Sequence, residues 1–113
     1  MTNRFEGEKY MTIGFSSTVP AKVQFFIFEM IEKIILDLSA LGLEVDYLQV
    51  FDLERIVEKG KVYQRITHHQ EQPEYKFITS FTCDEAMDEK IFVISSYTGE
   101  GEEYSTAMLS SEY

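Results

Sequence analysis

Residues 20–42, which read PAKVQFFIFEMIEKIILDLSALG, decide the fold of this chain. Apolar residues recur in this stretch every three or four positions, so they share one face of a helix. These residues are Val23, Ile27, Met30, Ile31, Ile34, Leu38 and Leu41. Pro20 suits the first turn of a helix, where no N–H is needed, and Gly42 suits the left-handed residue that ends one. The stretch therefore predicts one long amphipathic helix over residues 20–41.

The same helix carries a second apolar set outside this stripe, which consists of Phe25, Phe26, Phe28, Ile35 and Leu36. The helix is therefore apolar over more of its circumference than one face of a sheet can cover. Two interpretations stay open. Either loops and the C-terminal segment cover the surplus, or the surplus forms an exposed patch that meets a partner or a second copy of the chain. Under the second interpretation, Phe25 and Phe28 are candidate interaction residues.

Five other stretches have the composition of β-strands. They are residues 9–15, 44–57, 61–70, 75–81 and 91–94. Residues 47–51 carry apolar side chains on both alternating faces, as a central strand does. Residues 61–70 alternate more weakly, which predicts an edge or half-exposed strand. In residues 75–81 the aromatic side chains of Tyr75, Phe77 and Phe81 share one face.

The connections between these stretches contain typical turn and cap residues. Residues 58–61 predict a tight hairpin turn in which Gly60 takes positive φ. Ser16, Ser17 and Thr18 offer side-chain oxygens that could cap the long helix. Residues 84–89 read as a polar connection or a single helical turn, and residues 104–113 as a short helix, with Met108 and Leu109 facing inward, or as a strand.

These elements predict an α+β fold, because each apolar face needs a cover. The long helix lies on a mostly antiparallel sheet of about five strands, followed by a short C-terminal helix or strand. Hydrophobic residues make up 44% of the 113 residues, too many for a disordered acidic chain. We therefore expect residues 1–113 to form one domain.

The composition also excludes several classes of function. The formal net charge is −10, which repels phosphate and argues against direct nucleic-acid binding. Charged residues at 29, 32, 33 and 37 interrupt the most apolar stretch, so no membrane span is expected. Cys83 is the only cysteine, and the N-terminus lacks the apolar run of a signal peptide. We expect a cytoplasmic protein.

Residues with catalytic chemistry are few. His68 and His69 are neighbours, so in a strand they point to opposite faces and cannot share one metal ion. Cys83 could pair with either histidine as a thiolate, but a single cysteine after an aromatic strand is more often a small buried apolar residue. The glycines form no phosphate-binding loop. We therefore predict no catalytic residues, no metal site and no cofactor.

The stretch QEQPEY at residues 70–75 is the most distinctive polar segment. It reads either as an ordinary hairpin connection or as an exposed turn that a partner recognises. Under the second interpretation Glu71, Pro73 and Tyr75 join Phe25 and Phe28 in a candidate interaction surface.

Six short blocks distributed along the chain are YMT at residues 10–12, YLQVF at 47–51, HQE at 69–71, PEY at 73–75, EKIFVI at 89–94 and YSTAMLSSEY at 104–113. Together these blocks resemble a family of small cytoplasmic proteins first catalogued from staphylococci and related low-GC Gram-positive bacteria as a domain of unknown function. The resemblance runs over nearly the whole chain, which implies a single domain. It implies no established activity and no catalytic or binding residues.

Three hypotheses for the function remain at this point. The leading one is a non-enzymatic protein–protein interaction module, with a homodimer as one form, that uses the surplus apolar surface of the helix or an exposed sheet edge. The second is an acidic decoy that occupies a basic nucleic-acid-binding protein. The third is a small enzyme or ligand-binding protein, whose candidate residues would be His68, His69, Glu71, Tyr75 and Cys83.

Overall fold

The computed structural model describes residues 4–113, which form two α-helices and one six-stranded sheet. The helices are α1 (Ile13–Thr18) and α2 (Ala21–Ala40). The strands are β1 (Glu8–Met11), β2 (Leu48–Glu58), β3 (Lys61–Gln70), β4 (Tyr75–Thr82), β5 (Glu89–Tyr97) and β6 (Glu103–Leu109). Their order in the sheet is β1-β6-β5-β2-β3-β4. The β1–β6 pair is parallel and the other four pairs are antiparallel. The α+β class is confirmed, with six strands where about five were predicted.

The long helix α2 forms as its sequence predicts. Six residues of the predicted stripe, from Val23 to Leu38, are buried against the sheet, whereas Leu41 lies at the C-cap and is exposed. Gly42 has φ +70° and donates its N–H to Ser39, while the N–H of Leu43 reaches back to the carbonyl of Leu38 at 2.9 Å. This pair of hydrogen bonds satisfies carbonyl groups that the end of a helix leaves without partners.

The strand prediction for residues 9–15 is wrong beyond Met11. Thr12 is the N-cap of α1, because its hydroxyl oxygen accepts the N–H of Phe15 at 3.1 Å. Ile13 is consequently 85% exposed, whereas Phe15 is buried. The predicted cap residues Ser16, Ser17 and Thr18 lie inside α1 rather than capping α2, which begins after Pro20 without a side-chain cap. A local capping bond here overrides the alternating pattern.

The central hairpin joins β2 to β3. Lys59 and Gly60 both have positive φ, 50° and 78°, which is the conformation of a two-residue turn between antiparallel strands. β2 lies between β5 and β3, which confirms it as a central strand. β3 lies between β2 and β4, so its prediction as an edge strand is wrong. Its alternation is weak because Gln64, His68 and Gln70 occupy buried positions.

The C-terminal third contains β5, β6 and the 3-10 turn Ser110–Glu112. Residues 84–88 contain no helical turn. Of the two alternatives for residues 104–113, the strand is confirmed. Leu109 packs against the core, but Met108 pairs with Phe92 on the opposite face of the sheet, so the prediction that both side chains face inward is wrong for Met108.

The helices and the N-terminal segment cover one face of the sheet, here named the covered face. Phe5 and Phe15 complete the core beside Ala107. The carboxylate of Glu103 accepts the N–H groups of Phe5 and Gly7 at 3.0 and 2.8 Å and so holds this segment on the sheet. The other face, here named the open face, carries neither α1 nor α2. Neither helix within residues 4–113 combines the length and the apolar composition of a membrane-spanning segment.

The two-residue hairpin turn gives a first test of the fold. Gly60→Ala forces a side chain into positive φ, and we expect it to reduce the free energy of unfolding by about 1 kcal/mol. Gly99→Ala is the matched control, because open space surrounds both glycines but Gly99 does not have positive φ. Urea denaturation of the two variants measures the difference, and equal stability would contradict this account of the turn.

Candidate functional site

The outer edge of β4 is free, since β4 pairs only with β3 among the described residues. The N–H of Cys83, which directly follows β4, donates to the carbonyl of Val62 at 3.0 Å. Because backbone groups alternate in direction along a strand, those of Lys76, Ile78, Ser80 and Thr82 point away from β3. Lys22 confirms this direction, because its Nζ donates to the outward carbonyl of Thr82 at 2.7 Å.

This edge has few of the features that normally keep a strand from pairing with another chain. It is eight residues long, YKFITSFT, with no proline and with Lys76 as its only charged residue. Natural proteins usually shorten such an edge, interrupt it with a bulge or proline, or place several charges on it. The backbone groups of Lys76, Ile78 and Ser80 that point outward have no partner within residues 4–113.

Aromatic and basic side chains of α2 and β4 lie beside this edge. Phe26 stacks on Phe81 with ring centroids 4.0 Å apart, and Phe25 meets Phe26 edge-on at 5.6 Å. Phe25 is 60% exposed. The ammonium of Lys22 lies 5.4 Å from the ring of Phe81, and that of Lys33 lies 4.6 Å from the ring of Phe77. We name β4 together with Lys22, Phe25 and Phe26 the edge surface.

Tyr75 fixes the other end of the edge surface to α2. Its hydroxyl donates to Oδ2 of Asp37 at 3.0 Å, and Lys33 donates to the same oxygen at 2.8 Å. The hydrogen bond from Lys33, followed by that from Tyr75, lowers the pKa of Asp37 below its ordinary value. Burial, followed by the bond to Asp37, raises the pKa of Tyr75 to about 12. Tyr75 therefore stays a neutral donor at physiological pH.

The structure places four of the five predicted interaction residues along this side of the molecule. Phe25 lies near the Phe81 end of β4, and Tyr75 begins β4 at the other end, about 20 Å away along the strand. Glu71 is exposed and Pro73 half-buried in the hairpin that precedes Tyr75. Phe28 is separate from them, half-buried and edge-on to Phe15 at 6.2 Å.

Sequence reasoning missed Ile78 and Ser80, whose outward backbone groups are the centre of the edge surface. It recognised the aromatic face of this strand but assigned the edge position to residues 61–70. The usable signal was the scarcity of charge in YKFITSFT, since the neighbouring strand β3 carries Lys61, Arg65 and two histidines.

Under the C-terminal end of α2, a buried hydrogen-bond chain fixes His68. Asp46 N–H donates to Oε1 of Gln70, which also accepts from Gln49 at 2.7 Å. The amide nitrogen of Gln49 also donates to the carbonyl of Asp46, so its oxygen must accept the bond to His68 Nε2 at 2.6 Å. Nδ1 of His68 is then a bare acceptor, and it has no partner among the described residues. Burial, with a smaller effect from His69, lowers the pKa of His68 to about 3.

His69 lies on the open face, because adjacent residues of a strand point to opposite faces and His68 is buried on the covered face. Nε2 of His69 is 3.1 Å from Oδ2 of Asp52, and Lys90 lies 3.7 Å from the other oxygen of that carboxylate. The pair lines a shallow groove of about 560 Å³ with Thr67 and the β3–β4 hairpin. A hydrolytic triad consists of a carboxylate, an imidazole that it orients, and a nucleophile. Asp52 and His69 could supply the first two, but within residues 4–113 no nucleophile is hydrogen-bonded to His69, so the triad is incomplete.

Two of the chemical predictions concern cysteine and metal ligands. Cys83 is buried, which confirms its interpretation as a small core residue. It lies beside Val62, six residues along β3 from His68 and so about 20 Å from it. The alternative of a Cys–His thiolate pair is therefore wrong. The part of the chain that the structure describes contains no group of three or more His, Cys, Asp or Glu side chains able to hold a metal ion.

Residues 8–112 match the model of the family described as "Staphylococcal protein of unknown function (DUF960)". The match covers most of the chain, which therefore belongs to this family. Among curated proteins none matches the chain. The chain is also similar to a protein of unknown function from Enterococcus faecalis with a crystal structure, at 23% identity and a TM-score of 0.63 over 100% of this chain and 98% of that chain. At this identity the likeness shows the fold alone.

The buried histidine predicts a specific dependence of stability on pH. The unfolded chain protonates His68 near its ordinary pKa of 6.5, whereas the folded protein keeps it neutral down to a pH of about 3. The unfolded state therefore binds more protons between these values, and stability falls as pH drops through this window. From pH 6.5 to 5.0 the expected loss from this group is about 1.5 kcal/mol.

Urea denaturation at a series of pH values measures this slope. His68→Gln retains a side-chain donor for Gln49 but does not titrate, so its slope over the same window should be smaller by that amount. Equal slopes in the wild type and His68→Gln would show that His68 does not remain neutral in the folded protein.

Proposed function

We propose that this member of the staphylococcal family is a protein–protein interaction module that adds an extended segment of its partner to the free edge of β4. The observation that supports this most directly is the row of outward backbone groups at Lys76, Ile78 and Ser80 without partners in residues 4–113. An added strand satisfies such groups with main-chain hydrogen bonds.

Side chains on both sides of the edge supply selectivity for such a segment. Alternate residues of an added strand would meet Lys76, Ile78 and Ser80 on the open face and Tyr75 and the phenylalanines of β4 on the covered face. The exposed ring of Phe25 extends the covered side. Main-chain pairing would thus supply affinity, and the aromatic side chains would favour a segment with apolar residues at alternate positions.

Charge supports the same location. The chain has a formal net charge of −10, yet Lys22 and Lys76 lie along this one edge, and nearby Lys33 neutralises Asp37. A neutral or acidic segment would meet less repulsion at these lysines than among the carboxylates around β1, the other edge of the sheet. The proposal places this interaction in the cytoplasm, in keeping with the single buried cysteine.

Ser80→Pro tests the proposal. Proline removes the outward N–H of Ser80 without removing a hydrogen bond between β3 and β4, and proline is tolerated on edge strands for this reason. We expect the affinity for a strand partner to fall about tenfold or more, since a backbone bond is lost and the ring obstructs the approach. Ser80→Ala is the matched control, because it changes the same side chain and keeps the N–H.

The measurement compares the proteins recovered from a staphylococcal lysate by the tagged wild type and by both variants, followed by the affinity of each purified partner. A partner retained by Ser80→Ala and lost with Ser80→Pro supports the proposal, provided that urea denaturation shows both variants folded. Recovery that is equal for both variants would overturn it. If that equally recovered partner is a basic protein released by duplex DNA, the acidic-decoy hypothesis takes its place.

A further inference from the structure

We infer that the strand added to the edge surface is β4 of a second copy of this chain, so that two six-stranded sheets join into one across a two-fold axis at Ile78. This inference rests on the proposed function and names its partner. In such an interface the same patch serves both copies, so β4 must be complementary to itself.

The backbone selects one register for this pairing. Hydrogen-bonded pairs can form only between residues whose backbone groups point outward, which are Lys76, Ile78, Ser80 and Thr82. Lys22 already occupies the carbonyl of Thr82. The register that uses the other three in both copies places Ile78 opposite the partner's Ile78 and Lys76 opposite the partner's Ser80. Each of these pairs exchanges two hydrogen bonds.

The side chains fit this register without conflict. Lys76 is the only charge of β4, and it would face a neutral serine rather than another lysine. On the covered face Tyr75 would lie opposite the partner's Phe81, an aromatic cross-strand pair of a favourable kind. Phe81 already stacks on Phe26, which meets the exposed Phe25. The pairing would therefore continue this aromatic row into the second copy.

Just beyond the strand, one pair of opposite charges would also meet, beside the exposed carboxylates of Asp84 and Glu85. Continuing the register by two residues places Glu74 opposite the partner's Thr82, whose carbonyl holds the ammonium of Lys22. Both Glu74 and Lys22 are exposed in a single copy. The two-fold axis repeats this contact, so two oppositely charged pairs would form at the ends of the shared strands.

The first test is the oligomeric state. Sedimentation velocity over a range up to about 100 µM should show a dimer for the wild type and Ser80→Ala, with dissociation in the micromolar range or below. Ser80→Pro should be monomeric. Urea denaturation at low concentration checks that the proline variant is folded.

The second test is a disulfide at the axis. With Ile78→Cys, the two cysteines would have Cα atoms about 5.5 Å apart, within the range that a disulfide bridges. Ser80→Cys is the matched control on the same face, because its two copies would be offset by four residues, about 13 Å. Under oxidised glutathione we expect covalent dimers of Ile78→Cys at least tenfold faster than of Ser80→Cys; equal rates would overturn the register.

The third test reverses charges. Lys22→Glu and Glu74→Lys should each weaken the dimer about tenfold, because each places like charges together at two symmetric contacts. The double variant should recover most of the loss. Lys22→Glu also removes the contact with Phe81, but loss of that contact would persist in the double variant, so recovery reports on the contact between copies.

The outcomes separate this inference from the proposed function. A monomeric wild type at the highest concentration overturns the second copy as the partner, and the proposed function still stands if Ser80→Pro abolishes capture of another protein. A dimer that survives Ser80→Pro overturns the inference, because the copies then meet through a different surface. If Ser80→Pro leaves both dimerisation and capture unchanged, the proposed function fails as well.

Discussion

The width of one helix limits everything that this sheet can bury. A helix with its side chains is about 10 Å across, whereas the five spacings of a six-stranded sheet span about 24 Å. Contacts of α2 with Phe77, Phe81 and Tyr75 show that the helix lies towards β4. The rest of the covered face is filled by Phe5, Phe15 and Val19 from the N-terminal region. Within residues 4–113, neither helix remains for the open face, and no strand pairs with the outer edge of β4.

A buried polar network is the second constraint on this sheet. Where the C-terminal half of α2 meets β2 and β3, the covered face holds Gln49, His68 and Gln70 rather than aliphatic residues. Their hydrogen bonds join the α2–β2 loop to the β3–β4 hairpin through Asp46 and Pro73. The network thus fixes the hairpin from which β4 begins. It does so at the cost of one buried nitrogen, Nδ1 of His68, without a partner.

Short sequence patterns correctly predicted the helix and the turn whose conformation depends on residues close together in the chain. The apolar stripe and Gly42 identified α2 to within a residue at either end, and the turn at Lys59 and Gly60 was evident from the hairpin signal. Thr12 was missed because a short capping bond and an alternating strand pattern compete over the same residues, and the sequence does not show which is stronger. β3 was misplaced because most of its buried positions are polar, so its weak alternation does not reveal that β2 and β4 pair with its two edges.

The residues of the candidate site divide in the same way, into those that a short stretch of sequence identifies and those that depend on the whole fold. Phe25 and Tyr75 could be identified from an apolar surplus and a distinctive hairpin, which are properties of short stretches. Ile78 and Ser80 could not, because an edge is defined by strand order, and the order depends on where β5 and β6 insert far along the chain. The sequence YKFITSFT does not indicate whether another strand lies beside it in the sheet.

The two edges of the sheet differ in a way that limits how far association could proceed. β1, at the other edge, has only four residues, and Glu6, Glu8 and Glu102 outnumber its one lysine, Lys9, which donates to the carbonyl of Phe5. Two copies that approached through this edge would bring like charges together, whereas β4 carries a single lysine among neutral residues. Pairing through β4 would consume both free β4 edges at once and leave only the short acidic ones. The net charge of −10 would then act as a barrier to open-ended sheet growth, so that an unprotected edge supports a closed pair rather than a fibre.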